Sequence, residues 1–188
     1  MPSLVLVKHS LPEIDPRVPA NQWRLCEIGR QRCRPLADRL AGCGPRRIIS
    51  SLEPKAIETA QIVARRLGLP AETAPDLHEH ERHDVGVLSL EDFESSVRRF
   101  FERPGERVFG RETADQAHAR FARALSGLIE WQTGENLVVV AHGTVITLFV
   151  ARATGREPFA LWKRLGLPSI VEMTWPELTL TTIVESVA

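Results

Sequence analysis

The chain has 188 residues, of which 43% are hydrophobic and 26% are charged. This length and composition suit one globular domain with a sizeable core, which we place at residues 1–188, and exclude a disordered or repeat protein. The 24 basic residues balance 24 acidic ones, so no overall charge attracts nucleic acid or an anionic membrane. Residues 1–71 nevertheless carry 12 basic and 6 acidic side chains, which places an anion site in that part.

The predicted elements alternate along the chain between short β-branched strands and longer stretches of helical spacing. This alternation predicts an α/β fold, a three-layer α/β/α sandwich with a mostly parallel central sheet. The predicted strands span 3–8, 46–50, 71–74 and 136–141, followed by an antiparallel hairpin at 171–175 and 178–184. The predicted helices span about 27–41, 54–67, 89–102, 113–131 and 144–154.

Cysteine use and apolar runs indicate the compartment. Cys26, Cys33 and Cys43 form no CxxC pair and are odd in number, which is typical neither of a disulfide framework nor of a zinc knuckle. The apolar stretch 4–7 is too short for a signal peptide, and the longest uncharged run, 136–151, is shorter than the roughly 20 residues of a membrane span. We therefore expect a cytoplasmic protein.

Polar residues follow three of the predicted strands. His9 follows the first strand, Ser51 the second, and His142 the strand 136–141. Ligands of an open α/β sheet bind outside the carboxyl ends of its strands, so these three exits are expected to converge on one crevice. Either histidine alone is as readily a structural residue, but the two together predict a functional site.

Five segments of the chain resemble, in order, the motifs of one known family. LVLVKHS at 4–10 corresponds to an apolar strand followed by RHG, SSLEPKAIETA at 50–60 to SSxxxRAxxTA, and VVVAHG at 138–143 to a strand followed by HG. LCEIGRQRCRPLADRL at 25–40 and GRETADQAHARF at 110–121 are similar to two further segments. The family is the histidine phosphatase superfamily, also called the phosphoglycerate-mutase-like fold.

The resemblance implies a cofactor-independent phosphatase that hydrolyses a phosphomonoester of a small metabolite through a phosphohistidine. A neutral imidazole can attack phosphorus and split one hard displacement into two easier ones. By resemblance His9 is the nucleophile and His142 a donor beside it. The residues implied to hold the phosphate are Lys8, Lys55, Ser10 and Gly143.

A general acid must protonate the leaving alkoxide, and the family uses a carboxylate that follows a leucine. Leu77-His78-Glu79 fits this pattern, so Glu79 is the predicted acid, with Glu81 and Asp84 as alternatives in the same loop. Proximity to the phosphate should keep the Glu79 carboxyl protonated for longer than an exposed one.

Lys8 and Lys55 stand where the family has arginines, and Ser10 replaces its usual glycine. Only three of the 24 basic residues are lysines, so drift in an Arg-rich chain does not easily explain both. A lysine lacks the planar fork with which arginine grips phosphate. Either the pocket is adapted to a differently shaped anion or a slower reaction, or the protein is a catalytically impaired binder of phosphorylated ligands.

Two further functions are weighed against the phosphatase. A mutase-type phosphotransferase is the closest, but a chain of this length leaves less room for the lid that would enclose a phosphorylated intermediate. A zinc metallohydrolase is remote: His78, His80 and His83 approximate HxHxDH, yet Arg82 stands where the metal-binding Asp should be. We therefore predict no metal. The sequence does not determine which substrate is used or whether the protein forms a homodimer.

Overall fold

The structure, a computed structural model, describes residues 2–130 and 134–187. Within those ranges six strands form one sheet: β1 (Ser3–Lys8), β2 (Ile48–Ser50), β3 (Ala71–Thr73), β4 (Leu137–Ala141), β5 (Ser169–Thr174) and β6 (Leu180–Val184). The helices are α1 (Glu27–Ala41), α2 (Pro54–Leu67), α3 (Leu90–Glu102), α4 (Ala114–Glu130), α5 (Gly143–Thr154) and α6 (Pro158–Arg164). None of these helices is long and apolar enough to cross a membrane.

The sheet has the strand order β3-β2-β4-β1-β5-β6. Strands β1 and β4 pair in parallel, as do β2 with β4 and β2 with β3. Strand β5 runs antiparallel to β1, and β6 runs antiparallel to β5. The sheet is therefore mixed, with its parallel part formed by the strands whose ends carry the candidate site residues.

Helices cover both faces of the sheet. Alternate side chains of β1 point to opposite faces, so Val5 and Val7 pack with α1 and α2, whereas Leu4 and Leu6 pack with α3, α4 and α5. Strands β1, β2 and β4 are buried along most of their length, as expected for parallel strands between two helical layers. The predicted three-layer α/β/α fold is confirmed.

The predicted elements agree with the structure, with small shifts at their ends. The capping residues behave as the sequence indicates: the Ser89 hydroxyl accepts the Asp92 N–H, and Thr113 and Gln116 bond reciprocally. Trp131, the predicted last residue of α4, lies outside the described residues. Helix α6 and a 3₁₀ turn at Ala20–Gln22 were not predicted.

Backbone hydrogen bonds bring the ends of β2, β4 and β1 together. The His9 N–H donates to the carbonyl oxygen of Ala141 at 3.0 Å, and the Ser51 N–H donates to that of Val140 at 3.0 Å. The turn after β1 also lies tightly against α1, because a Cβ on Gly29 would be 2.0 Å from the Leu11 carbonyl oxygen. The three predicted strand exits therefore reach one edge of the sheet.

Candidate active site

A crevice of about 350 Å³ lies at this edge of the sheet. His9 and His142 line it from the strand ends, and the segment 52–55 lines it from the start of α2. The other wall is formed by residues 78–83, part of the loop 76–83 that carries the predicted general acid and is called the acid loop. The crevice thus joins three of the five motif regions.

His9 is held in a form suited to nucleophilic attack. Its Nδ1 lies 2.7 Å from the Ser10 carbonyl oxygen. Because a carbonyl only accepts, Nδ1 carries the ring proton and Nε2 keeps its lone pair. Burial, together with the charges of His142 and Lys55, lowers the pKa of His9 well below its usual value, so the ring is neutral at neutral pH.

His142 is the neighbour of His9 in space. The two ring centroids lie 5.1 Å apart at an interplanar angle of 61°. Its Nε2 lies 2.6 Å from the Ser51 hydroxyl and 3.5 Å from a Glu53 carboxylate oxygen, whereas its buried Nδ1 has no partner among the described residues. Burial and the nearby Lys55 charge lower the pKa of His142 well below its usual value.

Lys55 lines the crevice, but a carboxylate that the sequence analysis missed balances its charge. Its ammonium donates to Glu53 Oε2 at 2.6 Å and to the Ala20 carbonyl oxygen at 2.6 Å. The other Glu53 oxygen accepts the Glu79 N–H at 2.8 Å. Glu53 therefore links α2 to the acid loop, and its only sequence signal is a carboxylate two residues before the motif cation.

Lys8 is not among the residues that line the crevice. Its ammonium donates to the Leu165 carbonyl oxygen at 2.5 Å, and its side chain passes so close to Gly143 that a Cβ there would be 3.0 Å from Lys8 Cε. Burial lowers the pKa of Lys8 to about 8, with the nearby Glu79 charge opposing the shift. A side chain at position 143 would therefore press on the far end of the flexible Lys8 side chain.

Ser10 has both of its donors engaged within the protein. Its hydroxyl donates to the Gly29 carbonyl oxygen at 2.7 Å, and its N–H donates to the Thr59 hydroxyl at 3.0 Å. Its carbonyl oxygen holds His9. The structure therefore gives Ser10 a contact that orients His9, the predicted nucleophile, where the resemblance implied a phosphate contact.

Glu79 lines the crevice and caps α5. Its carboxylate accepts the N–H groups of Thr144 at 3.0 Å, Val145 at 3.3 Å and His80 at 2.9 Å. Burial raises the pKa of Glu79, but the charges of Arg82 and His142 and these donors outweigh it, so the net shift is downward. The N-terminus of α5 is thus occupied in part by the Glu79 carboxylate.

The alternative acids differ in position. Glu81 lines the crevice and lies 3.4 Å from His78 Nε2. Asp84 lies outside the crevice lining, where Arg111 at 3.1 Å helps to lower the pKa of its carboxyl against the opposing effect of burial. Position in the crevice therefore favours Glu79 and Glu81 over Asp84.

The segment 110–121 holds the acid loop in place, a role that sequence reasoning missed. Arg120 donates to the carbonyl oxygens of three residues in the loop 76–79 and pairs with Glu112 at 2.6 Å. Glu112 in turn accepts the Glu81 N–H at 3.0 Å. Both side chains are almost fully buried, so this ion pair acts as a clamp on the loop.

The three histidines of the zinc alternative have different surroundings. His80 is buried against Phe100, with its Nε2 3.3 Å from the Glu112 carbonyl oxygen, whereas His83 is exposed. Within residues 2–130 and 134–187, no three or more His, Cys, Asp or Glu side chains are arranged to hold a metal ion. The arrangement of the histidines therefore gives the metallohydrolase alternative no support.

The model of the histidine phosphatase superfamily (branch 1) matches residues 16–181. The chain therefore belongs to the histidine phosphatase superfamily, as its motifs predicted. It is 33% identical over 141 residues to phosphoglycerate mutase-like protein 4 of Arabidopsis thaliana, a match that covers 69% of this chain. That match spans 60% of the length of the Arabidopsis protein.

Two solved structures share the fold over nearly the whole chain. A mycobacterial glucosyl-3-phosphoglycerate phosphatase superposes with a TM-score of 0.78 at 19% identity, covering 98% of this chain and 99% of that one. A phosphoserine phosphatase of Entamoeba histolytica superposes with a TM-score of 0.79 at 18% identity, covering 98% and 97%. At these identities the likeness establishes the fold.

Proposed function

We propose that the protein is a phosphatase that hydrolyses a phosphomonoester of a small metabolite through a phosphohistidine at His9. The observation that best supports this proposal is the pair of buried, neutral imidazoles of His9 and His142. The lone pair on His9 Nε2 is left for attack. Family membership and the phosphatases among the proteins of the same fold support this reaction. A crevice of about 350 Å³ suits a small substrate.

In the first step, His9 Nε2 forms a bond to phosphorus while the bond from phosphorus to the ester oxygen breaks. Glu79 donates its proton to the departing oxygen. In the second step, water attacks the phosphohistidine, Glu79 takes a proton from that water, and inorganic phosphate leaves. Because the protein itself lowers the pKa of Glu79, the negative charge of the bound phosphate must raise it for the first step.

The buried cations stabilise the charge on the phosphoryl oxygens. Lys55 acts from the crevice wall, and Lys8 acts from behind Gly143, close enough to lower the pKa of His9. His142 lines the crevice beside His9, and its ring is proposed to contact the phosphate there. All three cysteines are free thiols, which is consistent with the cytoplasm as the proposed compartment.

The proposal is tested by trapping the intermediate. Wild-type protein mixed with p-nitrophenyl phosphate and quenched in alkali should carry a phosphoryl group on His9, detected by peptide mass spectrometry, with inorganic phosphate as the final product. His9→Asn should lower kcat by at least about 1000-fold, because the nucleophile is lost. His118→Asn, outside the crevice, is the matched control and should retain wild-type activity.

Other outcomes distinguish the alternatives. If no phosphomonoester of a broad panel is turned over while one binds tightly, the protein is a phospho-ligand-binding protein. If an added hydroxyl compound receives the phosphoryl group in preference to water, the protein is a phosphotransferase, the activity suggested by the name of the Arabidopsis relative.

A further inference from the structure

We propose that Arg82 binds the transferred phosphoryl group, with its guanidinium supplying the two-pronged contact that Lys8 and Lys55 cannot make. This inference rests on the proposed function and adds a substrate-binding residue outside the motifs that the resemblance identified. It also bears on whether the lysines impair the site, because Arg82 restores a guanidinium to it.

The two motif lysines are engaged with other groups. Lys55 is 2.6 Å from Glu53, so a carboxylate offsets its charge at close range. The Lys8 ammonium is directed to the Leu165 carbonyl oxygen. A lysine is also a point charge, whereas a guanidinium offers two parallel N–H groups to two phosphoryl oxygens.

Arg82 is a cation without such a partner. It lines the crevice, and its side chain makes no hydrogen bond or ion pair with any residue that the structure describes. Its charge reaches the centre of the site, where it acts to lower the pKa values of Glu79, His142 and Lys8. The guanidinium thus lies within electrostatic range of the proposed general acid and of one of the two catalytic imidazoles.

An aromatic ring orients the guanidinium. Arg82 Cζ lies 4.6 Å from the centroid of the Phe93 ring. The N–H groups of a guanidinium lie in the plane of the group. When that group stacks on an aromatic ring, these N–H groups remain available to another ligand. The contact with Phe93 therefore gives Arg82 a neighbour that is not a carboxylate or carbonyl acceptor.

The backbone of Arg82 is fixed by the segment 110–112. Gly110 has a φ of +78°, and a Cβ there would be 2.4 Å from the Glu81 carbonyl oxygen and 3.0 Å from Arg82 Cα. The Arg111 N–H donates to that same Glu81 oxygen at 2.6 Å, and Glu112 accepts the Glu81 N–H. A donor on a backbone held in this way is positioned before the substrate arrives.

Arg82→Lys is the test, because it keeps the charge and removes the fork. With p-nitrophenyl phosphate, which carries no second anionic group, kcat/KM should fall at least about 10-fold. The dissociation constant of inorganic phosphate, measured by calorimetry, should rise by a similar factor. Arg66→Lys is the matched control, since that side chain lies outside the crevice in an exposed pair with Asp38, and both quantities should stay within twofold of wild type.

A second variant separates a contact from a structural role. Arg82→Ala should be as thermally stable as wild type to within a few degrees, and millimolar guanidinium, unlike ammonium, should restore part of its activity. Unchanged kcat/KM and unchanged phosphate affinity in Arg82→Lys would overturn the inference. So would a loss confined to phosphoesters that also carry a carboxylate, because Arg82 would then bind that second anion.

The two proposals fail separately. If wild type hydrolyses phosphomonoesters and Arg82→Lys is unaffected, the phosphatase stands and the role of Arg82 is wrong. If wild type hydrolyses none while Arg82→Lys weakens the binding of inorganic phosphate, the phosphatase is wrong and the Arg82 contact stands.

Discussion

Lys8 and His9, adjacent in the chain, are both shifted towards their neutral forms, with opposite consequences for the reaction. Burial lowers the pKa of His9 well below its usual value, which favours the neutral form that the proposed attack on phosphorus requires. Burial also lowers the pKa of Lys8, to about 8, which removes the charge that would stabilise a phosphoryl group. The proposed reaction needs a neutral His9 and a charged Lys8. Both forms are therefore present together only over a limited pH range.

The activity should decline as the pH rises through about 8, because Lys8 is an ammonium below that pH and a neutral amine above it. Lys8→Arg should keep its activity to higher pH, since a guanidinium stays protonated there. The measurement is kcat/KM for p-nitrophenyl phosphate from about pH 6.5 to 10, a range in which the substrate stays a dianion and His9 stays neutral.

Lys163→Arg is the control, because Lys163 pairs with Glu94 at the surface. It should leave the pH profile unchanged. A wild-type profile that is flat across pH 8 to 9.5, or a Lys8→Arg profile that declines at the same pH as wild type, would contradict the role given to Lys8.

Residues at strand ends could be predicted, whereas their partners could not. His9 and His142 follow strands with apolar runs at 4–7 and 137–141, and parallel strands bring such residues to one edge of a sheet. Glu53 and Arg82 act through the directions of their side chains, which depend on contacts with the acid loop and with Phe93. The spacing of residues along the chain contains no information about those contacts.

At the scale of elements, α4 and the residues just before it hold the loop 76–82, which lies before α3 in the chain. The loop 76–82 has no regular secondary structure, so its shape depends on hydrogen bonds from outside it. Arg120 and Glu112 provide several of them, and the side chains of this ion pair are only 11% and 9% exposed. Breaking a nearly buried pair leaves the remaining partner uncompensated.

Glu112→Gln should therefore lower the free energy of unfolding by about 1–3 kcal/mol, because Arg120 loses its carboxylate while the amide can still accept one hydrogen bond. It should also lower kcat, since Glu79 sits on the loop that Glu112 holds. The matched control is Glu106→Gln, which breaks the exposed pair with Arg103 and should change stability by about 0.5 kcal/mol or less. Urea denaturation measures both, and equal losses would contradict the clamp.

Long elements with a clear apolar pattern could be predicted from the sequence, whereas the short helix α6 could not. Helices α1, α2 and α5 combine apolar periodicity with a clear start or stop, and their predicted ends lie within about one residue of those observed. Helix α6 has seven residues, too few for a periodic pattern to stand out. Its start signal, Glu157 followed by Pro158, is real, because the Glu157 carboxylate accepts the first free N–H groups of the helix.

At the scale of the whole molecule, one sheet joins two separate apolar clusters. The cluster on the α1–α2 side contains Leu36 and Val63, and the cluster on the other side contains Phe121 and Leu125. Neither helical layer can bury its apolar face without the sheet between them. The two clusters are therefore expected to unfold together. The prediction that residues 1–188 form one domain requires this cooperative unfolding.

Leu36→Ala and Leu125→Ala test this expectation, because both side chains are 0% exposed and lie on opposite faces of the sheet. Each substitution should lower the free energy of unfolding by about 2–5 kcal/mol through lost burial and a residual cavity. Urea denaturation followed by circular dichroism and by tryptophan fluorescence should give coincident single transitions in both variants. A second transition in either variant, or two probes that separate, would show that the layers are independent and that the chain is not one cooperative domain.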